Sequence, residues 1–222
     1  MSFLIEPFKN HPKPWIYLAS SMYLAGLIGL NIPSAQEFFQ FLTPFHLLSS
    51  LLMLAYWHSE WSHQFTATAL LIFLLGYGVE VLGVHTGLIF GSYQYETTLG
   101  WKVFDVPLLI GVNWLILVYC QADLLRRWNL SSVSTWLSFG IKSVVGAIGL
   151  TLLDYIVEPV AIKQAMWSWT AGEPPLHNFI GWLWVSFLMM AIFQRVPLKK
   201  INPLAPWILG LQWAFFGLQA FN

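Results

Sequence analysis

The feature that most constrains this chain is its division into seven apolar runs, at 15–32, 38–57, 65–84, 103–122, 136–160, 177–196 and 203–221. Each is close to the ~20 residues needed to cross a hydrocarbon core of ~30 Å. Only 9% of the 222 residues are charged and 57% are hydrophobic, whereas an ordinary soluble domain carries about 25% charged residues. So few charges cannot cover a soluble fold of this size. The sequence therefore predicts an all-α polytopic membrane bundle of about seven transmembrane helices. It forms a single integral domain over 1–222 with a polar lead at 1–14. The first run follows basic residues as a signal peptide would, but NIPSAQ offers no clean small-x-small cleavage pattern, so it reads as a retained span.

Composition also excludes some functions. Net charge is zero and no long basic run occurs, so nothing points to nucleic acid. Cys120 is the single cysteine, which rules out an intrachain disulfide and a cysteine-based metal cluster. The sequence carries no P-loop, dinucleotide fingerprint, GxSxG or HExxH. His58 and His63 flank Glu60, but five residues apart they do not share a helical face. No metal site is expected.

Orientation follows from the basic residues. With seven spans, Lys9, Lys13, Arg126, Arg127, Arg195, Lys199 and Lys200 fall on one side, and Lys102 and Lys163 on the other. Positive charge marks the cytoplasmic face, so the N-terminus is expected inside and the C-terminus outside. Lys142 lies within the fifth run and snorkels or lines an inner cavity.

The polar side chains of the apolar runs then gather at one level. Glu80 and His85 lie near the outer end of the third run, Asp105 opens the fourth, Asp154 and Glu158 end the fifth, and His177 and Asn178 open the sixth. Ionisable groups inside membrane segments are costly and read by default as a site. Gly76, Glu80, Gly83 and Gly87 form one narrow helical stripe, so a close neighbouring helix would bury Glu80. Gly146, Leu150, Asp154 and Glu158 repeat every four residues in the same way. Plainer readings exist for several positions. Glu158 and His177 fit solvated helix ends, Asp105 fits a helix N-terminal cap, and Tyr93 and Tyr95 fit an interfacial aromatic belt.

Two blocks carry a family resemblance: GVEVLGVHTGLIFGSYQYETTLG followed by VPLLIGVNW, then Asp154-x-x-x-Glu158-Pro159, Trp167-Ser-Trp169 and Asn178-Phe-Ile-Gly-Trp182. Together they resemble the core of carotenoid-biosynthesis membrane proteins of the bisanhydrobacterioruberin hydratase type, the carotenoid hydratases. The chain departs from that pattern at GEPPLHN, where the family has an aromatic-Gly-Val-Pro segment, and at Asp105, where a small residue is expected. Both departures bear on substrate choice.

The resemblance implies a hydro-lyase that adds water to the terminal double bond of an acyclic end group, on γ-carotene, lycopene or a longer precursor. It implies no cofactor, and a bacterial inner-membrane location. The expected partners are a carotenoid drawn from the bilayer, lipids and other carotenoid-biosynthesis enzymes. Such chemistry needs a carboxyl that is protonated at neutral pH, a state favoured by low dielectric and by a second nearby carboxyl. Asp154 is assigned as proton donor and Glu80 as its partner or as the group orienting water, and coupled carboxyls can exchange these roles. Tyr93, Tyr95, Trp114, Trp167 and Trp169 are candidates to stabilise a carbocation through their ring faces. His85 and Asn178 are candidates to place the water, with Asp105 and Glu158 beside them. Two other readings stay open: an end-group cyclase, which shares the protonation but excludes water, and a small transporter or proton carrier using Glu80, Lys142 and Asp154.

Overall fold

The computed structural model describes residues 11–221; Lys9 and most of the polar lead lie outside them. Seven helices are found there: α1 (Lys13–Gly29), α2 (Gln36–Trp57), α3 (His63–Thr86), α4 (Leu109–Arg126), α5 (Thr135–Lys163), α6 (Leu176–Phe193) and α7 (Ala205–Ala220). Five of them, α2 to α6, are long and apolar enough to cross a membrane, and α1 and α7 are shorter, at 17 and 16 residues. This is a helical membrane protein, and most of its exposed side chains on these helices are apolar, as lipid requires.

α4 is the axis of the bundle. It packs against α2, α3, α5, α6 and α7, and 67% of its span is buried inside the protein. Helix ends are set locally. The Ser62 side chain accepts from Phe65 N at 3.1 Å to start α3, and Ser134 accepts from Leu137 N at 3.3 Å to start α5. Gly87 stops α3 in the left-handed conformation at φ 66°, its N–H bonded to Gly83 O.

The fourth helix starts later than the apolar run suggests. Residues 102–107 form a small hairpin, β2 (Lys102–Val103) with β3 (Val106–Pro107), following β1 (Tyr93–Tyr95). Phe104 and Asp105 at its tip have φ of 49° and 61°, a left-handed backbone that no right-handed helix contains. Asp105 therefore sits in a turn before α4 and does not open the helix. A fourth strand, β4 (Trp167–Trp169), pairs antiparallel with β1 in the register Tyr93↔Trp169, Gln94↔Ser168, Tyr95↔Trp167. This strap joins the loop after α3 to the loop after α5 across one end of the bundle.

The small-residue stripe on α3 does what its spacing suggests. Gly76, Glu80 and Gly83 are all buried, and Trp114 of α4 seats directly on Gly76. A methyl group at Gly76 would lie 2.5 Å from Trp114 Cβ, whereas one at Gly78 would meet nothing within 4 Å. Gly76→Ala is thus expected to lower stability by roughly 1–3 kcal/mol through overpacking. Gly78→Ala should be neutral or gain a few tenths, up to about 1 kcal/mol. Thermal unfolding of the two detergent-purified variants checks the contrast.

Candidate functional site

Strand alternation explains the inner surface of the strap. Residues two apart on a strand share a face, so Tyr93 and Tyr95 turn the same way and Trp167 and Trp169 join them from the partner strand. The cross-strand rings pack together, Tyr93 against Trp169 at 5.0 Å and Tyr95 against Trp167 at 6.0 Å. Their polar tips reach two buried carboxylates. Tyr93 OH and Tyr95 OH donate to Glu80 Oε2 at 2.6 and 2.8 Å, while Trp167 Nε1 and Trp169 Nε1 donate to Glu158 Oε2 at 3.0 and 2.8 Å. Burial pushes both tyrosine phenols well above their ordinary range, so they serve as donors. On the outer face, Ser168 Oγ and Gln94 Nε2 donate to Glu96 at 2.6 and 3.1 Å and hold its carboxyl below the usual glutamate range.

The helices complete the cluster. Trp114 Nε1 of α4 donates to Glu80 Oε1 at 3.0 Å. Asp154 and Glu158 lie one turn apart on α5, and Asn178 of α6 bridges them, its Nδ2 donating to Asp154 Oδ2 at 2.9 Å and to Glu158 Oε1 at 3.3 Å. Glu80, Asp154, Glu158 and Asn178 are each at most 4% exposed. Buried polar groups carry a large cost unless hydrogen-bonded, and here the donors are unevenly shared. Glu80 receives three hydrogen bonds, Glu158 three, and Asp154 one.

These side chains surround a chamber of about 30 Å³, completed by Phe90, Asn113 and Trp182. A cavity needs only ~10–15 Å³ of this kind to hold one water, so the chamber is water-sized. Beside it lies an apolar cavity of about 320 Å³ among α1, α2, α4, α5 and α7. Asp154, Asn113, Ile110, Trp167 and Trp182 line both spaces. Asp154 therefore stands on the wall between an apolar space and a polar one, with its second oxygen, Oδ1, accepting no hydrogen bond from the described residues. Trp182 stacks on Trp114 at 4.1 Å, which fixes the aromatic part of that wall.

Of the side chains singled out in the sequence, Glu80, Tyr93, Tyr95, Trp114, Asp154, Glu158, Trp167, Trp169 and Asn178 are brought together around the chamber. His85 and Asp105 are not. His85, five residues past Glu80, leaves the buried stripe; its Nε2 lies 3.3 Å from Phe104 O and 3.7 Å from Asp105 Oδ2 on an exposed surface. His177 is also exposed, with Nε2 2.6 Å from Leu88 O. Lys142 donates to Trp128 O at 3.1 Å, far along α5 from Asp154. Glu80 and Asp154 share no hydrogen bond, and the carboxyl tied to Asp154 through Asn178 is that of Glu158. Asn113 escaped assignment to the site from sequence. An amide in the middle of an apolar run was the available signal, and the structure places it at the junction of the two cavities with no hydrogen bond to the described residues.

Residues 41–205 match the profile of a family described as carotenoid biosynthesis proteins. The chain belongs to this family. Every residue of the chamber falls inside the matched stretch, whereas α1 and most of α7, which help to line the apolar cavity, fall outside it. The bisanhydrobacterioruberin hydratase of Haloarcula japonica is 27% identical over 125 residues, which are 54% of this chain and 42% of that protein. The chain thus matches less than half the length of this curated relative. No solved structure matches it.

Proposed function

We propose that this protein is a cofactor-independent hydratase that adds water to the terminal double bond of an acyclic carotenoid end group, such as that of lycopene or γ-carotene. The observation that carries this reading is the position of Asp154 between the 320 Å³ apolar cavity and the water-sized chamber. The polyene end occupies the apolar cavity and a water occupies the chamber. Asp154 donates its proton to the CH carbon of the double bond, leaving a tertiary cation on the dimethyl carbon. The chamber water adds to that carbon, and its released proton returns to Asp154, so no proton or electron is consumed. A positioned general acid contributes roughly 10²–10⁴-fold. The ring faces of Trp167 and Trp182 stabilise the cation, each by up to ~2 kcal/mol or more when desolvated.

Hydrogen-bond sharing supports the division of roles. Glu80 and Glu158 each accept three hydrogen bonds, with both oxygens engaged, and act as fixed anchors of the aromatic strap, while Asp154 keeps an oxygen for the substrate. All seven helices span the membrane, the N-terminus is cytoplasmic, and the chamber opens near the outer interface of a bacterial inner membrane. A cyclase would have no use for a polar chamber beside its acid. The distant likeness to a bisanhydrobacterioruberin hydratase agrees with hydration.

Expression in a lycopene- or γ-carotene-producing bacterium tests the reading. The expected pigment gains one water per acyclic end; an unchanged mass with a new ring would mean cyclisation. Asn113 gives a finer test of water placement. Asn113→Leu should lower kcat on the order of a hundredfold, the scale of a misplaced reactant, with KM for the polyene little changed.

A further inference from the structure

The hairpin of β2 and β3 carries apolar side chains that no described residue covers. Trp101 is 90% exposed and Phe104 70%, with Val103 and Leu108 exposed beside them. Exposed apolar clusters of this kind mark a contact with a membrane or a partner. The hairpin is held to α3 by its carbonyls. Tyr77 OH donates to Val103 O, and His85 Nε2 donates to Phe104 O at 3.3 Å. Leu70, Leu74, Tyr77, Val81 and His85 follow one another in steps of three or four, so they share one face of α3. One and two turns before Tyr77 that face is exposed, at Leu74 and Leu70. On a helix of membrane-crossing length and apolarity such leucines meet lipid. Tyr77 itself lies nine residues, ~13 Å along the axis, before the helix end at Thr86. Its contact with Val103 therefore falls within the length of α3, and the hairpin leans on the lipid-facing side of that helix.

The polar groups of the hairpin give an independent sign. In lipid, backbone donors and acceptors must be paired inside the protein. Beyond the pairing of β2 with β3, Leu108 N donates to Trp101 O at 3.2 Å, and the Val103 and Phe104 carbonyls take the donors from α3. Both charged side chains are also met by protein groups, Lys102 Nζ by Tyr95 O and Asp105 Oδ2 by His85 Nε2 at 3.7 Å. A loop in water has no need of such provision.

We infer that residues 101–108 form an interfacial anchor whose partner is the bilayer, seated at the boundary of headgroups and acyl chains at this end of the bundle. Trp101 and Phe104 are its lipid contacts, at the ~5–10 Å depth of an interfacial segment, a level that tryptophan favours. The anchor bears on the chamber, because Lys102 joins it to Tyr95, whose hydroxyl holds Glu80. The inference does not depend on the hydration reading.

Trp101→Cys and Phe104→Cys, each carrying a nitroxide label in protein reconstituted into phosphatidylcholine vesicles, test it. Spin relaxation by oxygen, which concentrates in lipid, is compared with relaxation by a water-soluble nickel chelate. Both side chains are exposed, so neither change disturbs packing, and the native Cys120 is buried beyond reach of the label. Leu74→Cys gives the lipid reference, and Glu173→Cys, in the exposed loop before α6, gives the water reference. The oxygen-to-nickel ratio at positions 101 and 104 is expected several-fold above that at 173, toward that at 74. A ratio equal to that at 173 for either label puts the hairpin in water and overturns the inference. Labels shielded from both reagents would mean that protein covers the hairpin, and would overturn it equally.

Discussion

Asp154→Asn should leave a folded membrane protein that no longer hydrates its substrate, with a loss of at least about 10²–10⁴-fold, the contribution of a positioned acid. The substitution is nearly isosteric. Asn can still accept the Asn178 Nδ2 hydrogen bond that now reaches Asp154 Oδ2 at 2.9 Å, so the bridge to α6 is kept. What is lost is an acid facing the apolar cavity, since an amide cannot protonate an alkene at neutral pH. Pigment conversion in membranes, beside the amount of inserted protein, separates chemistry from folding. Unimpaired conversion in this variant would remove Asp154 from the mechanism.

Glu80→Leu is expected to act on stability more than any other single change near the chamber. Three donors, Tyr93 OH, Tyr95 OH and Trp114 Nε1, converge on this carboxylate. Leu would leave all three buried without an acceptor. Each orphaned donor costs roughly 1–3 kcal/mol, so a loss of at least about 3 kcal/mol is expected. Glu80→Gln should be milder, because its carbonyl accepts one donor and the tyrosine hydroxyls can turn to accept from its amide. Thermal unfolding of the three proteins in one detergent checks the order wild type, Gln, Leu. Equal unfolding temperatures would mean that the carboxylate is not the anchor of the strap.

The helices were legible because lipid imposes one rule, an apolar run of spanning length; each of the seven runs holds a helix, and five of those helices are long and apolar enough to cross a membrane. The fourth run misled at its start because apolarity alone does not distinguish helix from hairpin. The left-handed turn at Phe104 and Asp105 has no hydropathy signature. The site was partly legible for a similar reason. Glu80, Asp154 and Asn178 stand out as polar groups in apolar surroundings, and the alternation of the apolar runs put them at one end of the bundle. The aromatic strap was visible in principle, since Tyr-x-Tyr and Trp-x-Trp are period-two patterns. Three-residue strands are too short to announce themselves, and nothing in either segment names the other as its partner. For that reason Glu158 fitted a solvated helix end in sequence yet lies buried under Trp167 and Trp169. His85 failed in the opposite direction, a polar side chain close in sequence to Glu80 but turned to the surface.

The central claim is that water adds to carbon at Asp154. Purified protein reconstituted with lycopene in heavy-oxygen water tests it most directly. The account predicts a tertiary alcohol carrying one labelled oxygen per reacted end with the wild type, and no labelled product with Asp154→Asn. A cyclised product without label, or the same labelled alcohol from Asp154→Asn, would contradict it.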